Sequence, residues 1–253
     1  MKHIHFIAAD HDEAQAALAE LIDRYGQAPF DQAKVIIPLG GDGTLLDTLH
    51  NKASYDLPVY GMNKGSVGFL MNAYNPDNLI ERLEAAETID IHPLRMRAMT
   101  CDGETIERVA FNEVALFRSS RQAAKIAIYV DGKLRMEELV ADGVMLASPA
   151  GSTAYNFSAH GPIMPLTANL LALTPISPFR PRRWRGALLP QHHEIRLEVH
   201  DPVNRPVSAN ADSIEVKNIK EITIWQSRSI ERRLMFDPDQ NLDERILNEQ
   251  FMV

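Results

Sequence analysis

Lys34-Val35-Ile36-Ile37-Pro38-Leu39 runs straight into Gly40-Gly41-Asp42-Gly43-Thr44, and a helical pattern then carries on to about Asn51. An apolar run delivered by glycines directly into a helix reads as one half of a parallel βαβ unit. The flanking segments repeat the alternation. His3 to Ala8 reads as a strand, and Asp12 to Tyr25 as a helix with Ala14, Ala17, Leu18, Leu21 and Ile22 on one face. Beyond the glycines, Leu57 to Gly61 reads as a third strand and Asn78 to Ala86 as a further helix. The N-terminal part is therefore expected to be an α/β domain built on a parallel sheet.

After about Ile91 the texture changes to short β-branched runs near 95–101, 106–117, 124–131, 133–147, 194–200, 206–210 and 214–226. Turn signals such as Asp102-Gly103 and Asp131-Gly132 separate them, and Asp131-Gly132 is the strongest hairpin signal in the chain. This predicts a second, mainly β domain, interrupted by a helix near Asn169 to Leu173. The last twenty residues turn helical again, with Leu242, Ile246 and Leu247 on one face, and are expected to return to the first domain.

Composition narrows the function classes. The 253 residues include 34 acidic and 26 basic side chains, for a net charge of −8, and 45% are hydrophobic. An acidic balance argues against general nucleic-acid binding, which needs clustered Lys and Arg. The one local exception is Arg180 to Arg185, beside Phe179 and Trp184. Cys101 is the single cysteine, so no internal disulfide forms, and no Cys/His cluster has zinc spacing. His192-His193-Glu194 is disfavoured as a metal site because neighbours along a strand point to opposite faces. No apolar run approaches the roughly 18 residues of a membrane span, and the N-terminus lacks a signal-peptide core. A cytoplasmic protein that contacts neither membrane nor nucleic acid is expected.

Several segments carry chemistry. Gly40, Gly41, Gly43 and Thr44 sit where open α/β sheets bind ligands, and their backbone N–H groups suit a phosphate; a tight βα turn with Asp42 as helix cap is the alternative. Gly61 to Leu70 follows the third strand in the same way, so the two loops point to one shared phosphate crevice, with Asn63 in the second loop and Lys64 as a point charge. No Walker lysine motif and no G-x-G-x-x-G is present. Asn112-Glu113 interrupts an apolar strand, where a charge is costly unless partnered. Asp142 to Pro162 is dense in small and hydroxyl residues, and Tyr155 is placed to stack on a flat ligand or wall it off. Ser152 lacks the elbow and the partners of a covalent nucleophile.

Taken together, Gly40-Gly41-Asp42-Gly43-Thr44, the Asn63-to-Phe69 loop, Asn112-Glu113, Asp142-Gly143 and Gly151-Ser152-Thr153-Ala154-Tyr155 resemble the NAD kinases in order and spacing. The resemblance implies a Rossmann-like α/β domain over 1–92, a β-sandwich NAD-binding domain over 93–235, and a C-terminal segment, 236–253, with a helix packing back on the first. It also implies transfer of the terminal phosphate of ATP to the adenosine ribose 2′-hydroxyl of NAD, with a divalent metal, Mg2+ being expected. Position by position, Asp42 corresponds to the proposed general base, with Gly43 beside the substrate. Asn112 and Glu113 correspond to the pair on the adenosine half, and Asp142 to an acid at the nicotinamide end, completed across a subunit interface. Ala150, Thr153, Ala154, Tyr155, Asn156, Phe157 and Ser158 correspond to the adenine-side loop. That interface and the exposed look of the Trp184 segment lead to an expected homo-oligomer, a tetramer being favoured.

The chain departs from the family at Val140, where a basic residue is common, and at Ser148-Pro149-Ala150-Gly151, which has one hydroxyl fewer. It departs again at Asp212-Ser213, in place of Asp-Gly, and at Ile214, in place of glutamine. Two other readings share parts of the pattern. A lipid kinase of the diacylglycerol type would need an apolar acceptor pocket, and a silent NAD-sensing module would tolerate loss of Asp42.

Overall fold

A computed structural model describes residues 3–51, 57–65, 68–238 and 251. Ser66 and Val67 of the second glycine loop, and the helix expected around 242–247, lie outside the described residues. Two compact units form, one from the residues up to Ile91 together with the segment from Glu231, the other from His92–Ile230.

The first unit opens with β1 (Ile4–Ala8), α1 (Asp12–Tyr25), β2 (Val35–Gly40) and α2 (Asp42–Asn51). It continues through β3 (Met62–Asn63), β4 (Asn72–Ala73), α3 (Leu79–Ala85) and β5 (Glu87–Ile91). The sheet order is β1-β2-β3-β4, all parallel. β2 is buried at every position, which is why its sequence shows no alternation. His11 caps α1 by accepting the Ala14 N–H, and Gly26 ends it at φ +77°. The third strand expected over Leu57–Gly61 is shorter and later than its sequence suggests. Only Val59 makes a parallel bridge to Ile36, because its own N–H and C=O turn away to the chain at Arg233–Met235.

The second unit begins with β6 (Leu94–Thr100), β7 (Thr105–Ala110), β8 (Glu113–Arg118), β9 (Ala124–Val130), β10 (Lys133–Ala141) and β11 (Gly143–Ala147). A short helix, α4 (Tyr155–Ser158), precedes β12 (Leu170–Ile176), β13 (Ala187–Pro190), β14 (Ile195–Val199), β15 (Val207–Ala211), β16 (Ile214–Val216) and β17 (Ile219–Gln226). Two six-stranded antiparallel sheets result, ordered β10-β9-β14-β17-β6-β7 and β13-β12-β11-β8-β15-β16. Their facing side chains, among them Ile126, Leu197 and Ile224 from one and Leu116, Leu146 and Leu173 from the other, share one core. Asp131 (φ +49°) and Gly132 (φ +74°) join Val130 to Lys133 as the two-residue hairpin that their sequence announced.

The helix expected near Asn169–Leu173 is a strand. Leu170–Ile176 pairs with β11 on one side and β13 on the other. Its apolar run is continuous because both faces are covered: Leu171 and Leu173 enter the sandwich core, while Ala172 packs with Met164 and Ala147. An apolar run buried on both faces carries no period to tell strand from helix. Three long expected strands also divide, at Phe111-Asn112, at Asp142 and at Lys217-Asn218.

β18 (Arg232–Phe236) brings the chain back to the first unit, antiparallel to β5. The return thus begins ahead of residue 236, as a strand. Asp237 anchors it: the fully buried Tyr60 donates its hydroxyl to Asp237 at 2.5 Å, and the Arg82 guanidinium meets the same carboxylate at 2.6 Å. Both members of the ion pair are mostly buried, so Arg82→Met strands a desolvated carboxylate. We expect that variant to lose about 3 kcal/mol in urea unfolding; a loss under about 1 kcal/mol, the value of an exposed pair, would refute the anchor.

Candidate functional site

In the first unit the two glycine loops meet at the carboxyl end of β2. The Gly40 carbonyl accepts the N–H groups of Lys64 at 2.7 Å and Gly65 at 3.2 Å. A Cβ at Gly40 would lie 2.2 Å from the Thr44 hydroxyl oxygen, so only glycine lets α2 start so close to the strand. Gly43, by contrast, is exposed, with nothing within 4 Å of where its Cβ would be. Asp42 closes the arrangement, its two oxygens accepting the N–H groups of Phe69 at 2.8 Å and Leu70 at 3.0 Å. A carboxylate here has a structural reason as well as a chemical one, because two donors need two acceptors.

Asn63 and Lys64, expected at phosphate, are engaged within the unit. The Asn63 side-chain oxygen accepts the Gly65 N–H at 2.9 Å. The Lys64 ammonium lies 3.5 Å from the centroid of the Tyr74 ring, and the Tyr74 hydroxyl donates to Glu20 at 2.7 Å. This cation–π contact competes with any phosphate for the same charge.

In the second unit Asn112 and Glu113 occupy the corner between β7 and β8 rather than the middle of a strand. Asp212, at φ +49° in the β15–β16 turn, builds that corner by accepting the N–H groups of Phe111 (2.8 Å), Asn112 (3.0 Å) and Glu113 (3.2 Å). Ser148 donates its hydroxyl to the Phe111 carbonyl at 2.6 Å and accepts the Gly151 N–H at 3.2 Å. Gly151 lies so close that a Cβ there would sit 2.2 Å from the Asn112 carbonyl oxygen. The side chains left over are informative: Asn112 Oδ1 and Glu113 Oε2 are buried without a hydrogen-bond partner. Burial, and then the nearby Asp212 charge, push the Glu113 carboxyl up to about 7. A buried acceptor pair with nothing to accept suits a ligand that brings hydroxyl or amino donors.

Asp142 stands at the corner between β10 and β11, its carboxylate on the Arg118 guanidinium at 2.5 Å. Along the loop from Ala150, exposure separates the expected contacts. Ala150 is buried, Thr153 and Ala154 are half-buried, and Tyr155, Phe157 and Ser158 are exposed. Asn156 is completely buried: its amide donates to the Ser152 and Pro162 carbonyls, and its oxygen accepts the Thr174 hydroxyl at 2.6 Å. Expected as a substrate contact, Asn156 instead braces the loop from inside. Ser152, also fully buried, bonds Pro149 and Met164 and has no access to a substrate. Tyr155 and Ser158 line a cleft of about 380 Å³ together with Trp184 and Arg185. Among the described residues no group of three His, Cys, Asp or Glu side chains could hold a metal ion.

Asp212, Ser148 and Arg118 were not singled out as site residues. Each acts on backbone or on a charge brought near by folding, and Asp212 lies about a hundred positions from the N–H groups it holds. Only its place before Ser213, in a turn that requires positive φ, carried any signal.

Comparison with known proteins assigns the chain. Residues 10–91 match the family described as ATP-NAD kinase N-terminal domain, and residues 111–235 the ATP-NAD kinase C-terminal domain. NAD kinase from Cereibacter sphaeroides is 53% identical over 99% of both chains. NAD kinase from Mesorhizobium japonicum is 54% identical over 98% of this chain and 96% of its own. The fold is also that of yeast NADH kinase crystallised with NADH, which superposes with a TM-score of 0.85 over 98% of this chain and 87% of its own at 21% identity. With two family domains matched across most of its length and relatives this similar over nearly all of it, the chain belongs to the NAD kinase family.

Proposed function

We propose that the protein phosphorylates NAD, moving the terminal phosphate of ATP to the 2′-hydroxyl of the adenosine ribose and releasing ADP and NADP. The observation that carries this reading is the pair of unpartnered buried acceptors, Asn112 Oδ1 and Glu113 Oε2, in a corner that Asp212 and Ser148 hold rigid. Ribose hydroxyls and the adenine amino group supply the donors that such a pair lacks. Thr153, Ala154, Tyr155, Phe157 and Ser158 form the adenine-side wall, with Tyr155 as the aromatic surface and the buried Asn156 bracing the loop behind them. Asp142, steered by Arg118, sits at the nicotinamide end.

Phosphoryl transfer requires positioning and charge neutralisation rather than covalent chemistry. The 2′-oxygen forms its bond to the terminal phosphorus as the bond to the bridging oxygen of ADP breaks. The hydroxyl proton passes to the Asp42 carboxylate, which its two N–H donors hold in place. The glycine-rich turn from Gly40 to Gly43 would cradle the phosphate chain, whereas the Thr44 N–H, also expected there, already donates to the Gly41 carbonyl at 3.0 Å. A divalent ion, expected as Mg2+, neutralises that chain when bound. Mg2+ usually takes few protein ligands beside nucleotide phosphates. We further propose a cytoplasmic homo-oligomer, a tetramer by family resemblance. Exposed Phe157 and Leu188 support an interface better than Trp184, which is half-buried against the sandwich core.

Purified protein given NAD, ATP and Mg2+ should form NADP, read through an NADP-specific dehydrogenase. No NADP with NAD binding intact would identify a sensor instead. Asp42→Asn should cut turnover by about 100-fold or more while NAD affinity stays within a few fold. Because the amide would also turn a donor towards an N–H, melting should drop too; a lower melting temperature with normal turnover would leave Asp42 a purely structural role. Tyr155→Ala should raise the KM for NAD by about 5- to 150-fold, the worth of an aromatic stack on a base, with a smaller effect on turnover. An unchanged KM would remove Tyr155 from the site.

Glu113 predicts a pH signature. Its carboxyl titrates near 7 when folded against 4.5 normally, so the folded protein holds more protons than the unfolded one across that window. Stability without NAD should therefore fall as pH rises from 4.5 to 7. The ionised form is the better acceptor for ribose hydroxyls, so the KM for NAD should fall over the upper part of the same range. Glu113→Gln should flatten both profiles, and a retained slope would show that another group titrates.

A further inference from the structure

The segment Phe179–Arg185 carries Arg180, Arg182, Arg183 and Arg185, all exposed, in a chain of net charge −8. Other guanidiniums of the same unit have carboxylates: Arg95 and Arg97 share Glu107, Arg118 holds Asp142, and Arg196 reaches Glu198 and Glu221. Among the described residues, the four on this arm form no such pair. Arg180 and Arg182 lean on the Phe179 ring instead, 5.6 and 5.1 Å from its centroid.

The arm is held in place. Phe179 and Arg180 donate their N–H groups to the Val140 carbonyl at 2.7 and 3.0 Å, and Val140 donates back to Arg180 at 2.8 Å. Trp184 is packed against the sandwich core. Gly186, at φ +109°, lies so close to the Leu173 carbonyl that a Cβ would come within 2.2 Å of its oxygen. Four like charges on a tethered backbone repel one another, and an anion relieves that repulsion. Arg185 and Trp184 line the 380 Å³ cleft together with Tyr155, Ser158 and His160, with no acidic side chain in the lining. The volume lies within the range of small-molecule sites. An aromatic face, hydroxyls and a guanidinium together suit phosphate attached to a sugar and base.

We propose that this arm binds the phosphate chain of a nucleotide in the cleft, with Arg185 contacting it and Arg180, Arg182 and Arg183 strengthening the local positive field. The proposal rests on the NAD kinase reading and adds binding residues to it. The diphosphate bridge of NAD and the triphosphate of ATP share the required chemistry, and kinetics separates them.

Arg185→Gln and the triple variant Arg180→Gln/Arg182→Gln/Arg183→Gln would be compared with the unsubstituted protein at low and high salt. Lys133→Gln/Arg135→Gln, on the exposed β9–β10 hairpin, serves as the control for lost charge. Arg185→Gln should raise the KM for one nucleotide about tenfold, as expected for a lost charge-assisted contact, and weaken its salt dependence. A rise for NAD identifies the diphosphate bridge; a rise for ATP identifies the triphosphate. Arg185→Lys should recover part of the loss, which a folding defect would not allow. Equilibrium binding of NAD and ATP to the same proteins carries the test even if no NADP forms, an outcome that would overturn only the kinase reading. Affinities and KM values within twofold of the unsubstituted protein overturn the arm's role. So does a variant that changes only the sedimentation state, which would place the arm at a contact between copies.

Discussion

Backbone N–H groups that leave a sheet at its end must find acceptors, and in this protein aspartate carboxylates take them. Asp42 gathers two in the first unit and Asp212 gathers three in the second. Asp131 repeats the device in a hairpin, holding the Glu194 N–H. A carboxylate suits the task because it is an acceptor only, with two oxygens to share among several donors. The glycine loops and the Asn112-Glu113 corner keep their shape through these contacts. What remains unsatisfied stands out against that background, and it is a pair of buried acceptors, Asn112 Oδ1 and Glu113 Oε2.

Much of the architecture was legible because it follows from period and punctuation. The βα junction at Gly40–Gly43, the α1 face and the Asp131-Gly132 turn are local devices, and each stands where its residues indicated. Leu170–Ile176 was not legible, since burial on both faces erases the alternation that marks a strand. The breaks at Asn112 and Asp142 were hidden for another reason. They depend on Asp212 and Arg118, which arrive from elsewhere in the chain to hold a corner that neither segment could hold alone.

The candidate site shows the same division. Residue types that bring chemistry, such as Asp42, Glu113 and Tyr155, announce themselves by cost or by company. Their exposure does not. Asn156 and Tyr155 are adjacent, yet one is fully enclosed and the other open, because Gly161 and Pro162 fold back over the Asn156 amide. Lys64 likewise has the charge of a phosphate ligand, yet its ammonium rests on the Tyr74 ring. What could be read is residue type and period; what could not is burial and the contacts made only once the chain has folded, whether with a residue six positions away or a hundred.

The return of β18 to β5 makes the first unit discontinuous, and synthesis runs in one direction. Its residues up to Ile91 leave the ribosome first, but the strand that covers β5 and the carboxylate that reaches Tyr60 and Arg82 leave only after the whole of His92–Ile230. At typical translation rates that interval is on the order of ten seconds, long beside the folding of a small domain. The second unit is continuous and can complete itself meanwhile, while the Glu87–Ile91 edge stays open to any other strand. The last unit to finish is therefore the one that begins the chain, and a nascent chain cut short before Arg232 would carry a finished sandwich beside an unclosed partner.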